Sequence, residues 1–374
     1  MTRTIPSFDI TSRLVSRALG LTPEGLQAAL RPALASDVPD ILALRRRTRW
    51  DDDAYMAWRY APGEPGRACA TLWVLRTGEK LLGMVGTEHI SLRIAGEQVD
   101  GHLLMDLLVD PSCADLGIGI WINQALFRRT DFTLAVGANA HSIGLVKGLF
   151  QALPDRSIWL LPLVFGNLLE SRISNPKHAR IAGKLADLTW PIWRHLRRPG
   201  LAADIDLKPI ERFDDAQLAF LQPASRTKAG ILRTAQRMNW RLLENPRARY
   251  EVIGAFRGPQ CVGYVAIRAV PGSTGRPAMH MIDWLAAGED ADAILTTLLA
   301  EVVRRARLAH CASVQTIVLD RDDEAVLSRN GFLRGRRADY LVTGMHSQNP
   351  AWLERAARAD WRITDLTFDN DGYF

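Results

Sequence analysis

Cysteine is scarce in this chain of 374 residues. Cys69, Cys113, Cys261 and Cys311 stand far apart, with no CxxC and no cysteine–histidine spacing of the kind that holds zinc. Neither a disulfide framework nor a metal site is expected, and a reducing cytoplasm is the expected setting. Long apolar runs are also missing. The longest, Ile158 to Phe165, is interrupted by Pro162 and falls far short of the roughly 20 residues that cross a bilayer. Arg3, Asp9 and Arg13 precede any apolar segment of useful length, which argues against a secretory signal. Dense lysine and arginine clusters among aromatics are lacking, so nucleic acid is not an expected partner. The net charge of +6 is a mild excess that suits a small anionic ligand. What remains, 47% hydrophobic and 24% charged residues, is the balance of a globular protein long enough for two domains.

The chain is organised around Leu103 to Phe127. Leu103, Leu104, Met105, Leu107, Leu108 and Val109 form a near-continuous apolar run that reads as a buried strand. Asp110-Pro111-Ser112 breaks it. Gly117 and Gly119 then stand where a helix begins, and Trp121, Ile122, Ala125 and Leu126 recur at helical spacing as its buried face. Free backbone N–H groups at such a helix start, with no Cβ to hold a ligand away, form an anion cradle that suits a pyrophosphate. Plain turn formation is the other reading of the same glycines.

The neighbouring residues add weight to the cradle. Asp106-Leu107-Leu108-Val109-Asp110-Pro111, a short turn and Gly117-Ile118-Gly119 resemble the acetyl-CoA motif of the GNAT acyltransferases. The resemblance implies that the backbone of Leu107, Leu108 and Val109 pairs with the pantetheine arm. It also implies that Ala114, Asp115, Leu116, Gly117, Ile118, Gly119 and Ile120 form the pyrophosphate loop. One departure is plain: the Arg or Gln of the family's loop falls on Ala114, which keeps the backbone donors and loses a side-chain contact. Further on, LAVGANAHSIGLVKGLF resembles the family's next strand and helix, which implies a cofactor contact for Asn139. Ser142 matches as well. The family's thiolate-protonating tyrosine has no counterpart, since Leu145 and Val146 occupy its vicinity and Leu327 does so later in the chain.

The same order of features returns. Leu207-Lys208-Pro209 echoes Leu30-Arg31-Pro32, Trp240-Arg241 echoes Trp58-Arg59, and Gly263 echoes Gly83. Asp283 within MIDWL echoes Asp106 within LMDLL, and Gly331-Phe332 echoes Leu149-Phe150, all at offsets of 177 to 182 residues. This predicts two copies of one fold. The expected organisation is a lead-in over 1–28, an acyl-CoA-binding GNAT-like domain over 29–160 and a basic helical connector over 161–205. A degenerate GNAT-like domain over 206–345 and a docking tail over 346–374 complete it. The implied fold class is α/β (α+β), with mixed, largely antiparallel sheets and helices on both faces. After Asp283 the second copy reads WLAAGEDADAILTTLLAEVV, with acids where the cradle would be; these repel a pyrophosphate, so the first copy is expected to bind the cofactor.

The connector carries Arg172, Lys177, Arg180, Lys184, Arg194, Arg197 and Arg198 with Trp190, Pro191 and Trp193 among them. A solvated connector that packs its tryptophans is the favoured reading, and a membrane-facing surface the second. In the tail, Trp352, Trp361, Phe368, Tyr373 and Phe374 lie among Asp365, Asp369 and Asp371, which suggests docking onto the body.

Acyl transfer to an amine needs a polarised carbonyl, a base for the amine's proton and an acid for the leaving thiolate. The candidate bases are Glu88, His89, His102, Asp106 and His141. Strand alternation puts His102 and Asp106 on one face if no bulge intervenes. Asp106 is the first choice, because a carboxylate in an apolar strand is brought towards useful base strength, and Glu88 is the second. Since Asp283 repeats Asp106 in the copy without a cradle, a purely structural role for this Asp is the competing reading.

The expected protein is therefore an acyl-CoA-dependent N-acyltransferase, acetyl-CoA by default or another acyl-CoA, without metal, acting on a small amine such as an amino sugar. WRY with its following turn, paired with WRLLENP, resembles bacterial tandem acyltransferases associated with polysaccharide or cell-envelope precursors. A non-catalytic CoA-binding protein and an aminoacyl-tRNA-dependent transferase are the alternatives.

Overall fold

The computed structural model describes residues 5–48, 53–64, 69–138, 142–165, 173, 175–197, 200–222, 228–272, 275–335 and 342–367. Sixteen strands are present among them. In chain order they begin with β1 (Leu30–Pro32), β2 (Ala70–Thr77), β3 (Lys80–Ile94), β4 (Glu97–Val109), β5 (Phe132–Val136) and β6 (Gln151–Ala152). Next come β7 (Ser157–Pro162), β8 (Asp206–Pro209), β9 (Gly230–Ile231), β10 (Glu251–Arg257) and β11 (Gln260–Val270). The last are β12 (Ala278–Ala286), β13 (Ser313–Leu319), β14 (Leu333–Arg334), β15 (Thr343–His346) and β16 (Ile363–Thr364).

The chain divides into two units. The first comprises 1–155, 229–232 and 339–359, the second 156–228, 233–338 and 360–374. The first unit's sheet has the order β1-β2-β3-β4-β5-β15-β6, with β9 on β3. Its β4 and β5 run parallel and its other pairs antiparallel. The second sheet mirrors that order as β14-β7-β13-β12-β11-β10-β8, with β16 on β13 and the parallel pair at β12 and β13. These are the two copies of one fold that the five echoes predict, of the GNAT-like class that the motif resemblance implies.

One exchange is absent from the sequence reading. β7, at the end of the first copy, pairs with β13 of the second sheet from Ser313↔Pro162 to Val318↔Ser157. β15, at the end of the second copy, pairs with β5 of the first sheet from Thr343↔Val136 to His346↔Thr133. Each sheet thus takes a strand from the other half of the sequence, so the units in space are not continuous spans.

Helices cover both faces of the first sheet. Helix 118–127 is apolar nearly all round and packs Ile118, Trp121, Ile122 and Leu126 with Val85 and Leu75 into one core. Helices 38–48 and 53–60 lie on the other face, where Ile41, Leu44, Tyr55, Met56 and Tyr60 are buried. In the second unit, helix 291–308 does the work of 118–127 by burying Ile294, Leu295, Leu298, Leu299 and Val302.

In the expected connector, helix 176–197 packs Trp190 against the second unit's core. The tail divides: helix 350–358 belongs to the first unit, while Trp361, Ile363 and Leu366 are buried in the second. Phe368, Asp369, Asp371, Tyr373 and Phe374 lie outside the described residues, as do Arg172, Arg198 and the side chains of Arg180, Pro191, Trp193, Arg194 and Arg197.

Candidate active site

A bulge reshapes the organising strand. Gly86 pairs with Met105 but Met84 pairs with Leu108, so Asp106 and Leu107 together stand opposite Val85. Asp106 has φ +50°, in the left-handed region that Asp tolerates better than most residues. Side-chain alternation resets there. Leu104, Leu107 and Val109 pack towards helix 118–127, while Asp106 turns to the face covered by helix 53–60. His102, two residues from Leu104, stays on the opposite face, so the expected pairing of His102 with Asp106 is not formed.

The two candidate carboxylates are each met by an arginine. The Tyr60 hydroxyl donates to Asp106 Oδ2 at 2.6 Å, and Arg45 Nη1 lies 3.6 Å from the same oxygen. Gly86 makes room for this: a Cβ there would lie 2.0 Å from the Tyr60 hydroxyl. Glu88 is fully buried, with Arg59 Nη2 3.8 Å from its Oε2, and Arg59 also donates to the Tyr55 hydroxyl at 2.5 Å and points its Nε at Met105 Sδ. The sequence reading assigned no role to Tyr60, Arg45 or Arg59. The available signal was helical spacing, which places Arg45 on the buried stripe of Ile41 and Leu44.

Beside this cluster the sheet splays. β5 pairs with β4 only from Gly101↔Phe132 to Leu104↔Ala135. From Met105 to Val109, the edge of β4 that faces β5 has no strand partner among the described residues. Leu107, Leu108 and Val109 are half-buried on that edge.

The edge runs into Asp110, the 3₁₀ helix Pro111–Leu116, and Gly117 at φ +76°. The first i→i−4 bond of helix 118–127 joins Trp121 N–H to Gly117 O at 3.0 Å. The amides of Ile118, Gly119 and Ile120 precede it and take no carbonyl of their own helix. Ile118 is buried in the core, so only its backbone is available, whereas Gly119 and Ile120 are half-buried. Ala114 and Asp115 are exposed on the turn. Its positive charge comes from elsewhere: Arg47 Nη2 lies 3.1 Å from Asp110 Oδ2, and Lys80 Nζ donates to Ser112 Oγ at 3.0 Å. Bonds from Ser112 together with the Arg47 charge hold the Asp110 carboxyl below the usual carboxylate range. Asn139 and His141 lie outside the described residues.

The second unit keeps the bulge and loses the opening. Ala266 pairs with Asp283 and Ile267 with Met281, so Ile282 is the extra residue here and Asp283 follows it directly. Asp283 is fully buried. Arg233 donates to it from Nε at 2.8 Å and Nη2 at 2.6 Å, Thr364 Oγ1 at 2.6 Å, and the Tyr264 hydroxyl as well. β12 parts from β13 beyond Met281↔Thr316, but β16 pairs with β13 at Val318↔Thr364 and Leu319↔Ile363. The chain's own segment 361–367 thus occupies the splay. At the start of helix 291–308, Asp290 binds Arg257 at 2.6 Å and Asp292 binds Arg329 at 2.6 Å, and the amides of Ala291 and Ala293 already bond Gly288 O and Asp290 O. Glu88 corresponds in this unit to Arg268, eight residues past the respective hairpin starts at Lys80 and Gln260.

Two buried histidines set an acid dependence. Burial, reinforced by His89, pushes His102 down to about 4, and burial with the Arg268 charge does the same to His280. Both lie below their ordinary value near 6.5, so the folded state binds fewer protons than the unfolded chain between these pH values. Their stabilising contribution is complete above about pH 6.5 and is lost as pH falls towards 4. The unfolding free energy is expected to drop by a few kcal/mol over that interval. Denaturant melts at pH 7 and pH 5 check this: the drop should shrink in His102→Gln and His280→Gln, and an unchanged drop in both would remove these histidines as its source.

No protein-family model matches the sequence, and no curated protein matches it. Solved structures do share the fold. A GCN5-related N-acetyltransferase from Anabaena variabilis is similar at 11% identity with a TM-score of 0.59, over 86% of this chain and 74% of that one. One from Kribbella flavida is similar at 12% identity and 0.56, over 86% and 72%. Saccharomyces cerevisiae N-myristoyltransferase with bound myristoyl-CoA is similar at 11% identity and 0.52, over 85% and 82%.

Proposed function

We propose that the chain is an acyl-CoA-dependent N-acyltransferase whose donor site is in the first unit. The observation that carries this reading is the unpaired edge of β4 from Met105 to Val109 leading into the free amides of Ile118, Gly119 and Ile120. Such an edge offers backbone groups to the amides of a pantetheine arm, and such a helix start offers donors to a pyrophosphate. Arg47 and Lys80 add the positive charge that Ala114 does not. The thioester supplies the activated acyl group, and the strand's N–H groups polarise its carbonyl. Acetyl is the default donor and a small amine, such as an amino sugar or a cell-envelope precursor, the default acceptor. The likeness to a myristoyl-CoA-bound structure supports including long-chain donors in the test. Four cysteines outside any disulfide suit a reducing compartment.

Of the two carboxylates, Glu88 is assigned to the acceptor's proton and Asp106 to holding the bulge. Asp106 recurs as Asp283 in the unit without a cradle, each with a tyrosine hydroxyl and an arginine, which is the signature of a shared structural role. Glu88 has no such counterpart, since Arg268 takes its place.

Calorimetric titration with acetyl-CoA and myristoyl-CoA tests the donor assignment. Saturable binding of one of them, at a single site per chain because 361–367 fills the second splay, is the expected result. Absence of binding by both would overturn the reading. For the base, Glu88→Gln is expected to lower turnover at least about tenfold with donor affinity unchanged. Asp106→Asn is expected to lower the melting temperature and to affect turnover through it. Unchanged turnover in Glu88→Gln would return the assignment to Asp106.

A further inference from the structure

Helix 176–197 is amphipathic in an inverted sense. Its inner side is anchored: Gly183 is buried, Trp190 packs on the second unit's core and meets the Phe165 ring edge-on at 5.1 Å, and Asp187 Oδ1 accepts the Phe165 N–H. Its outer side carries Ile181, Leu185 and Leu188, at i, i+4 and i+7, with 60%, 58% and 69% of their surface exposed. A helix on a globular surface ordinarily turns charge outward at these positions. Three large aliphatic side chains in one row are a patch, unlike scattered exposed residues.

Charge narrows what covers it. Lys177 lies one turn before Ile181, Lys184 sits within the row, and both are exposed. The helix also carries Arg180, Arg194 and Arg197 against a single acid. That acid is Asp187, whose carboxylate is turned to the Phe165 backbone. The outward face is therefore apolar and cationic, with no exposed carboxylate on the helix to repel a negative surface. Among the described residues, no helix is long and apolar enough to cross a membrane, so the fitting mode is a helix lying in the interface.

We propose that helix 176–197 docks on an anionic lipid bilayer. Ile181, Leu185 and Leu188 enter the boundary between headgroups and acyl chains, and Lys177 and Lys184 meet the lipid phosphates. The helix would hold the enzyme at a surface that supplies lipid-linked or membrane-proximal substrates. The inference does not depend on the donor assignment.

Cosedimentation of the full chain with vesicles tests it, using phosphatidylglycerol mixed with phosphatidylcholine and, separately, phosphatidylcholine alone. Wild type is expected to partition onto the anionic vesicles, at least about tenfold less onto the neutral ones, and less as salt rises. Leu185→Glu/Leu188→Glu and Lys177→Glu/Lys184→Glu are each expected to lower anionic partitioning at least about tenfold, with circular dichroism and acyl-CoA titration matching wild type. Failure of wild type to partition onto anionic vesicles overturns the proposal, as does wild-type partitioning by the leucine pair. If wild type does not partition and the leucine pair instead changes the chain's mass by light scattering, the face belongs to a second copy and the proposal falls. Acyl-CoA titration of wild type reads the donor site separately, so the two readings fail independently.

Discussion

Gly119→Asp is expected to weaken acyl-CoA binding by roughly a hundredfold or more while leaving the protein folded. A Cβ at Gly119 would meet Val109 Cγ2 at 3.6 Å and Leu107 Cδ2 at 3.7 Å, ordinary contact that the strand accommodates. An acid in the first turn of a helix is favourable for the helix itself. The same carboxylate, however, takes the amides of the cradle and lies within a few ångströms of any pyrophosphate they would bind. At an effective dielectric of about 20, two like charges about 5 Å apart repel by roughly 3 kcal/mol, or about two powers of ten in affinity. Gly117→Asp adds to this the strain of a side chain at φ +76°, on the order of 1 kcal/mol. The matched control is Gly288→Asp, at φ +101° before the carboxylate-rich turn of the second unit, which bears similar strain and should leave affinity unchanged. Isothermal titration of the three variants decides. Equal affinity in wild type and Gly119→Asp would move the donor site away from the first unit's helix start.

Arg233→Ala is expected to cost the second unit about 3–5 kcal/mol, because it leaves Asp283 buried without its main partner. Burial by itself would raise the Asp283 carboxyl. The Arg233 charge and its two bonds, assisted by Arg362 and the Thr364 hydroxyl, more than reverse that and hold it below the usual carboxylate range. The direction of the pH effect follows. A depressed carboxylate contributes stability that is complete above its unfolded value near 4 and is lost as pH falls through its folded value. Wild type and Arg233→Ala should therefore differ most at neutral pH and converge below about pH 4. Removing both partners in Arg233→Ala/Asp283→Ala should recover part of the loss, since no buried charge is then left alone. Denaturant unfolding across this pH range measures it. A loss of less than about 1 kcal/mol at pH 7 would mean that the remaining donors suffice for Asp283.

Much of the fold was legible because it rests on local patterns. The break at Asp110-Pro111 and the helix start at Gly117 each depend on residues within a few positions of one another. The tandem fold was legible because the echoes hold their spacing. The surroundings of Asp106 were not. Alternation places Asp106 with His102, and only the two-against-one pairing opposite Val85 turns it to Tyr60 and Arg45. A bulge is a property of two strands in register, which neither strand's sequence displays alone.

The sequence by itself determined that there are two copies of one α/β unit, that the first has Gly117 and Gly119 at a helix start, and that the second has acids at the corresponding place. These follow from composition and spacing along one strand of chain, where turn, cap and charge act over short range. Only the tertiary structure decided that β7 and β15 change sheets and that segment 361–367 fills the second splay. The reason is degeneracy. β7 and β15 occupy equivalent places beside β13 and β5, so an apolar strand satisfies either sheet equally well in pattern, and the choice rests on contacts between residues more than a hundred positions apart.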